Sequence, residues 1–316
     1  MAWDIYQRYL SEQRALENNN FATDELTKAI GQFPKVKTVF MDCEFMFGEG
    51  KRNPKRDAYE DAFASALRCA GQDCPGVGQM HGSMQAIHNA TVELDSLQIG
   101  GVSWKFMGQE DHIIEMMKEV LAPLKHFELG ITTGYDEEAD EIGSEILICR
   151  TAFRDGRLGN FIAAATKLET LLVDFEWYEP CCPINFEHLV LFTHWPALRT
   201  LDLKCIEISR TRWLDFLRQH SATLRRLHLA HISLSTGLWV EVLEDMQEAL
   251  QLEEMWFRWE LRAMYPLQEW NLDPSLDANE DDAWCSNNRT RWALEKYMVE
   301  GGTCPLRDEQ AHPQTW

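Results

Sequence analysis

The chain has 316 residues, 45% of them hydrophobic and 11% aromatic, enough for a sizeable core and too many for a disordered polymer. Its 51 Asp and Glu against 30 Lys and Arg give a formal charge of -21, which opposes sequence-independent binding to nucleic acid or to an anionic membrane. Nine cysteines, an odd number with no paired C-x-x-C knuckles, fit reduced thiols in a cytoplasmic or nuclear protein.

Met1–Asn20 has an acid at Asp4 and no apolar h-region, so it does not read as a secretory signal. Nowhere does the sequence approach the roughly 20 apolar residues of a membrane helix. Residues 1–34 are predicted as N-terminal capping helices, the amphipathic Phe21–Ile30 leading into a strand pattern at Val36, Val39 and Met41. A loop near 48–57 holds "KRNPKR" (Lys51–Arg56), a compact basic cluster expected to be solvated, with nuclear import as the alternative. Ala58–Ala70 has helical character. "GVGQMHG" (Gly76–Gly82) has glycines but neither a preceding strand nor a following Lys-Ser/Thr, and is expected to be a flexible connector rather than a phosphate loop. His81 and His88, seven apart, lack a third ligand and are expected to be surface histidines.

Further strand patterns follow at Leu94-Leu97-Ile99, Leu124-Phe127-Leu129, Leu168-Leu171-Val173 and Leu252-Met255-Phe257, most of them after an amphipathic stretch such as Ile113–Leu121 or Phe161–Ala165. An acidic loop, Tyr135–Glu141, lies in an insertion near 134–145. Cys181, Cys182, His188 and His194 contain the residue types of a thiol nucleophile or a metal set. Adjacent cysteines flanked by Pro180 and Pro183 point to opposite sides of an extended chain, which argues against either.

Two segments are near copies. "LRTLDLKCIEIS" (Leu198–Ser209) and "LRRLHLAHISLS" (Leu224–Ser235) stand twenty-six residues apart, as do Trp213 and Trp239, and Leu217 and Leu243. Each unit is L-x-x-L-x-L with strand alternation, then a helical stretch carrying a Trp. The expected architecture is α/β: a leucine-rich-repeat solenoid over residues 35–262, with parallel strands on the concave face and helices on the convex face. Each unit lends the next the apolar surface it lacks alone. Trp213 and Trp239, recurring at the period, are expected to fill the helix–sheet layer. Residues 263–316 are predicted as an acidic connector, a capping helix (Thr290–Val299) and a tail.

In this frame the residues between the leucines face solvent in three columns. The first runs Thr38, Ser96, His126, Thr170, Thr200, Arg226, Glu254. The second runs Phe40, Gln98, Glu128, Leu172, Asp202, His228, Trp256, and the third Asp42, Gly100, Gly130, Asp174, Lys204, Ala230, Arg258. The C-terminal half gathers Asp174, Asp202, Lys204, Arg226, His228, Trp256 and Arg258, a partner-binding candidate whose Trp between arginines has hot-spot composition. Its basic character favours an acidic or phosphorylated protein segment. No catalytic constellation, cofactor or metal is expected.

"YLSEQRALENNNFATDELTKAIGQFPKVKTVFM" and the repeat through "LSTGLWVEVLEDM" resemble the repeat region of fungal F-box proteins, over most of Phe21–Phe257. The resemblance implies a substrate receptor whose F-box recruits a Skp-type adaptor and a cullin ubiquitin ligase. Nothing in Met1–Asn20 matches an F-box, so the expectation is a truncated gene model or a descendant that kept the repeats alone.

Overall fold

The computed structural model describes residues 21–33, 35–42, 76–132, 142–175, 184–190, 193–264, 267–272 and 285–307. Helices and strands alternate along the chain. Helix α1 (Phe21–Gly31) leads into β1 (Thr38–Asp42), α2 (Val77–Asn89) into β2 (Ser96–Ser103) and α3 (Asp111–Leu121) into β3 (His126–Thr132). Two helices, α4 (Ile142–Phe153) and α5 (Arg157–Ala163), precede β4 (Thr170–Phe175). Short β5 (Ile184–Asn185) and α6 (Phe186–Val190) precede β6 (Thr200–Lys204), while β7 (Ile206–Ile208) and α7 (Arg210–His220) precede β8 (Arg226–Leu234). Helix α8 (Trp239–Ala249) leads into β9 (Glu254–Met264), then come β10 (Leu267–Leu272) and α9 (Cys285–Glu300).

The described strands form one ten-stranded, mostly parallel sheet that does not close into a barrel. β1, β2, β3, β4, β6, β8 and β9 lie side by side in chain order. Leu201 sits opposite Leu227 on adjoining parallel strands, and Leu227 opposite Met255. The first two predicted columns are in register across all seven strands. The third holds from Gly130 to Arg258, but an irregularity after Ile99 breaks it between Gly100 and Gly130.

Alternation explains which side is dry. Leu97, Phe127, Leu171, Leu201, Leu227 and Met255 are buried in one apolar core with the inner faces of the helices. Trp213 and Trp239 belong to that core and are fully buried. The helices pack on one another along the chain, α3 meeting α5 directly while α4 lies against β5.

At each unit boundary one backbone carbonyl accepts two N–H groups from the following unit. Asp95 O serves Lys125 and His126, Lys125 O serves Glu169 and Thr170, Glu169 O serves Arg199 and Thr200, and Arg199 O serves Arg225 and Arg226, all at 2.8–3.0 Å. The inter-unit contact is therefore tied by backbone as well as by leucines.

A second regularity comes four residues after the first inward side chain. Gly101, Cys205, His231 and Trp259 have φ of 58°, 56°, 49° and 57°, the left-handed region. The chain turns there, and a second tier continues: Ile208 pairs with Leu234, and Leu234 with Ala263. This is bulge behaviour, in which one residue leaves the ladder and the face parity slips by one.

Three readings of the sequence need amending. Gly76–Gly82 is not a connector: Gly76 takes a left-handed φ of 75° and Val77 begins α2. Val77, Met80, Met84 and Ile87 are buried at helical spacing, and that burial outweighs the cost of Gly78 and Gly82. The strand frame does not dissolve at Ala263, because β9 runs to Met264 and β10 returns antiparallel, Trp270 opposite Leu261. Residues 142–145, assigned to the acidic insertion, begin α4. The capping segment before residue 21, Lys51–Arg56, Ala58–Ala70, Tyr135–Glu141, Cys181 and Cys182 lie outside the described residues. No helix among the described residues is long and apolar enough to cross a membrane.

Candidate interaction surface on the open sheet face

The face opposite the helices carries the candidate residues. Strand spacing sets adjacent columns about 7 Å apart along a strand and neighbouring strands about 4.8 Å apart. All seven predicted residues, Asp174, Asp202, Lys204, Arg226, His228, Trp256 and Arg258, fall on β4, β6, β8 and β9, which are contiguous.

Trp256 is the centre. It remains 41% exposed at the end of the second column, with β8 on one side. The His228 ring stacks on it at 4.8 Å and 18°, and the Arg258 guanidinium lies 4.7 Å from the ring centroid. Both contacts fix the indole without covering it. His228 is itself held, its Nδ1 donating to Asp202 Oδ2 at 3.1 Å, with Glu254 Oε1 3.5 Å from Nε2.

The same arrangement recurs one step along, at the bulge. His231 stacks on Trp259 at 4.9 Å and 7°, and Lys204 Nζ lies 5.5 Å from the Trp259 centroid. Lys204 also binds Asp174, at 2.8 Å to Oδ1 and 3.0 Å to Oδ2. Burial pushes the Asp174 carboxyl above its ordinary range, with Lys204 pulling it back. Glu128 is raised as well, first by burial and then by the charges of Asp202 and Asp174.

The register brings Glu128 and Glu254 into the patch, and these carboxylates change its electrostatics. Lys204 is occupied by Asp174, and His228 sits between Asp202 and Glu254. Arg226 spends only its Nε, on Thr200 Oγ1 at 3.1 Å. Among the described residues Glu128, Arg226 and Arg258 have no ion-pair partner. The cationic character is thus confined to β8 and β9, with an anionic end at β3.

Sequence reasoning placed Glu128 and Glu254 in the columns without weighting them, and passed over Trp259 and His231. The signal for the latter pair was available: each stands four residues after the first inward residue of its strand, at the site where Cys205 stands in the preceding unit. The β9 edge is covered by α9, whose Glu295 Oε1 accepts from Phe257 N at 3.0 Å. Burial raises that carboxyl, while the hydrogen bond from Phe257 lowers it, as do the nearby Arg291, Arg258 and His228.

The residues of the thiol hypothesis go elsewhere. His188 lies on α6 at a surface cavity of about 350 Å³ that Val190, Arg212, Asp215 and Phe216 help to line. The His194 ring lies tilted against His220, centroids 5.2 Å apart. Among the described residues no group of three or more His, Cys, Asp or Glu is arranged to hold a metal ion. His88 of α2 pairs with Glu119 of α3 at 2.8 Å.

No protein-family model, curated protein or solved structure matches the chain.

Proposed function

We propose that the chain is a non-enzymatic protein-recognition module: a leucine-rich-repeat solenoid whose open, concave sheet face binds a segment of a partner protein. One observation carries this reading. Trp256 is kept exposed by His228 and Arg258 on a sheet face that none of the described helices covers. A large indole pre-set in a fixed orientation loses little freedom on binding, which is why such residues dominate interface energies. The resemblance to F-box receptors adds a ubiquitin-ligase arm only if a Skp-type adaptor co-purifies with the full chain.

A photo-crosslinking amino acid at Leu172, mid-way along the second column, tests the reading, with Gln219 on α7 as the control position. Irradiation in expressing cells is expected to give a discrete protein adduct from position 172. The adduct is lost in a Trp256→Ala, Arg258→Ala double variant of unchanged melting temperature. Equal adducts from both positions, or persistence in the double variant, would overturn the assignment of this face.

A further inference from the structure

The unpaired charges on the open face are separated, and their separation defines a ligand. The interior pairs, Asp174 with Lys204 and Asp202 with His228, satisfy each other. Among the described residues, what remains in the three columns is Glu128 on β3 at one end, with Arg226 on β8 and Arg258 on β9 at the other. β4 and β6 lie between β3 and β8, so three to four strand spacings, about 14–19 Å, separate the two ends. An extended peptide covers that distance in about five residue steps.

The surface between the ends suits such a segment. Leu172 is half-buried at the middle of the second column. Beside Glu128 the third column has Gly130, which raises no side chain over the strip and packs so closely on β2 that a Cβ there would meet Gly101 N at 3.0 Å. A long cationic side chain from a ligand can lie along this strip and reach Glu128. At the other end the Nη groups of Arg226, which is held only through Nε, and the Arg258 guanidinium beside the Trp256 ring supply donors on either side of Trp256.

Resting on the recognition reading above, we infer that the face binds an extended peptide carrying Lys or Arg at one end and Asp or Glu at the other, four residues between them. The cation pairs with Glu128, the carboxylate with Arg226 and Arg258, and an apolar residue next to the carboxylate packs on Trp256. Charge complementarity selects this occupant. An acid-only segment would place a carboxylate against Glu128, and like charges brought together cost specificity and affinity.

Fluorescein-labelled peptide pools titrated into the full chain, read by fluorescence polarisation, provide the test. Pools with ends Lys-(X)4-Glu, Glu-(X)4-Glu, Lys-(X)4-Lys, Lys-(X)1-Glu and Lys-(X)4-phosphoserine are compared, X being a mixture of Gly, Ser, Ala, Val and Leu. Lys-(X)4-Glu is expected to bind about tenfold more tightly than either like-ended pool, roughly the 1.4 kcal/mol that a decade represents. The Glu128→Lys variant is expected to switch preference to Glu-(X)4-Glu, a gain that misfolding cannot produce. Adding Arg226→Glu and Arg258→Glu to it restores Lys-(X)4-Glu, the peptide now running the other way.

Equal binding of all pools, abolished by Trp256→Ala, would overturn the ionic assignment and leave the recognition face standing. Preference for the phosphoserine pool over Glu would overturn the carboxylate assignment. Binding of no pool, or binding indifferent to Trp256→Ala, would remove both.

Discussion

Trp213 is fully buried, edge-on to Phe186 at 4.9 Å, with its Nε1 donating to Met246 Sδ at 3.2 Å. Truncation to Ala opens a cavity between α6, α7 and α8 that the surrounding aromatic rings fill only in part. The expected loss is about 3–5 kcal/mol by urea denaturation. Trp256→Ala removes a stacked but exposed ring and is expected to cost about 1 kcal/mol or less. Comparable losses would mean that Trp256 is a core residue and not a contact. His220 provides a pH test at the same scale. It donates from Nδ1 to Phe216 O at 2.9 Å and accepts at Nε2 from Trp195 N at 3.1 Å, so the neutral ring is specified at both nitrogens. Burial holds its pKa below the ordinary 6.5, with His194 adding to the effect. The unfolded chain takes up that proton first. Stability is therefore full above the ordinary histidine value and falls as pH drops through it, until the folded-state pKa is passed. His81, lowered mainly by burial, has the same sign, whereas the raised carboxyls of Glu128, Asp174 and Glu295 favour the folded state on acidification. His220→Gln, which keeps a donor and an acceptor, is expected to flatten the decline in urea midpoint between pH 8 and 5.5. An unchanged slope would place its origin elsewhere.

Elements end where the backbone demands a conformation that side chains resist, and the end of α2 shows this. Thr91 N donates to His88 O and Val92 N to Ile87 O, the paired bonds of a Schellman close, with Thr91 at φ 51° in the position glycine usually takes. Thr91 is exposed, and its hydroxyl donates only to the neighbouring Ala90 carbonyl. Thr91→Gly is expected to stabilise the fold by about 1 kcal/mol, read as a rise in urea midpoint, because a β-branched residue in the left-handed region carries that strain. A fall would show that the Thr91 side chain contributes more than the strain costs. The left-handed column at Cys205, His231 and Trp259 explains part of what the sequence left hidden. A turn of this kind is usually announced by glycine, and only Gly101 announces it. The strand register, by contrast, was legible, because alternation at Leu201-Leu203 and Leu227-Leu229 leaves one face for the core, and a one-residue slip would expose every leucine. Helix α2 was misread for a related reason. Its glycines are local evidence, while the burial of Met80 and Met84 that overrides them depends on neighbours far along the chain. In the candidate site, the column positions could be read from spacing. The pairing of Lys204 with Asp174 and of His228 with Asp202 could not, since it depends on rotamers.

At the scale of the whole molecule, the repeated carbonyl that receives two N–H groups makes successive units interchangeable at their boundaries. Arg199 O and Arg225 O occupy the same place one period apart. On the proposed solenoid, stability is a sum of unit terms and neighbour terms, so removing one whole period should leave a shorter array that still closes its contacts. Deleting residues 199–224, twenty-six positions, joins Leu198 to Arg225 and sets β8 against β4 with Arg226 opposite Thr170. Two specific losses follow. Asp174 exchanges Lys204 for Ala230, and Trp195 N–H loses its acceptor, because the position equivalent to His220 is Met246. The shortened chain is therefore expected to unfold cooperatively at a lower urea midpoint, with helix and strand content per residue preserved by circular dichroism. Deleting only 199–211, half a period, keeps more residues but removes β6 and β7 while leaving most of α7 without the strand it follows, and is expected to abolish cooperative folding. Equal damage from the two deletions would show that the sheet is a single indivisible unit, and neighbour-by-neighbour stacking would be refuted with it.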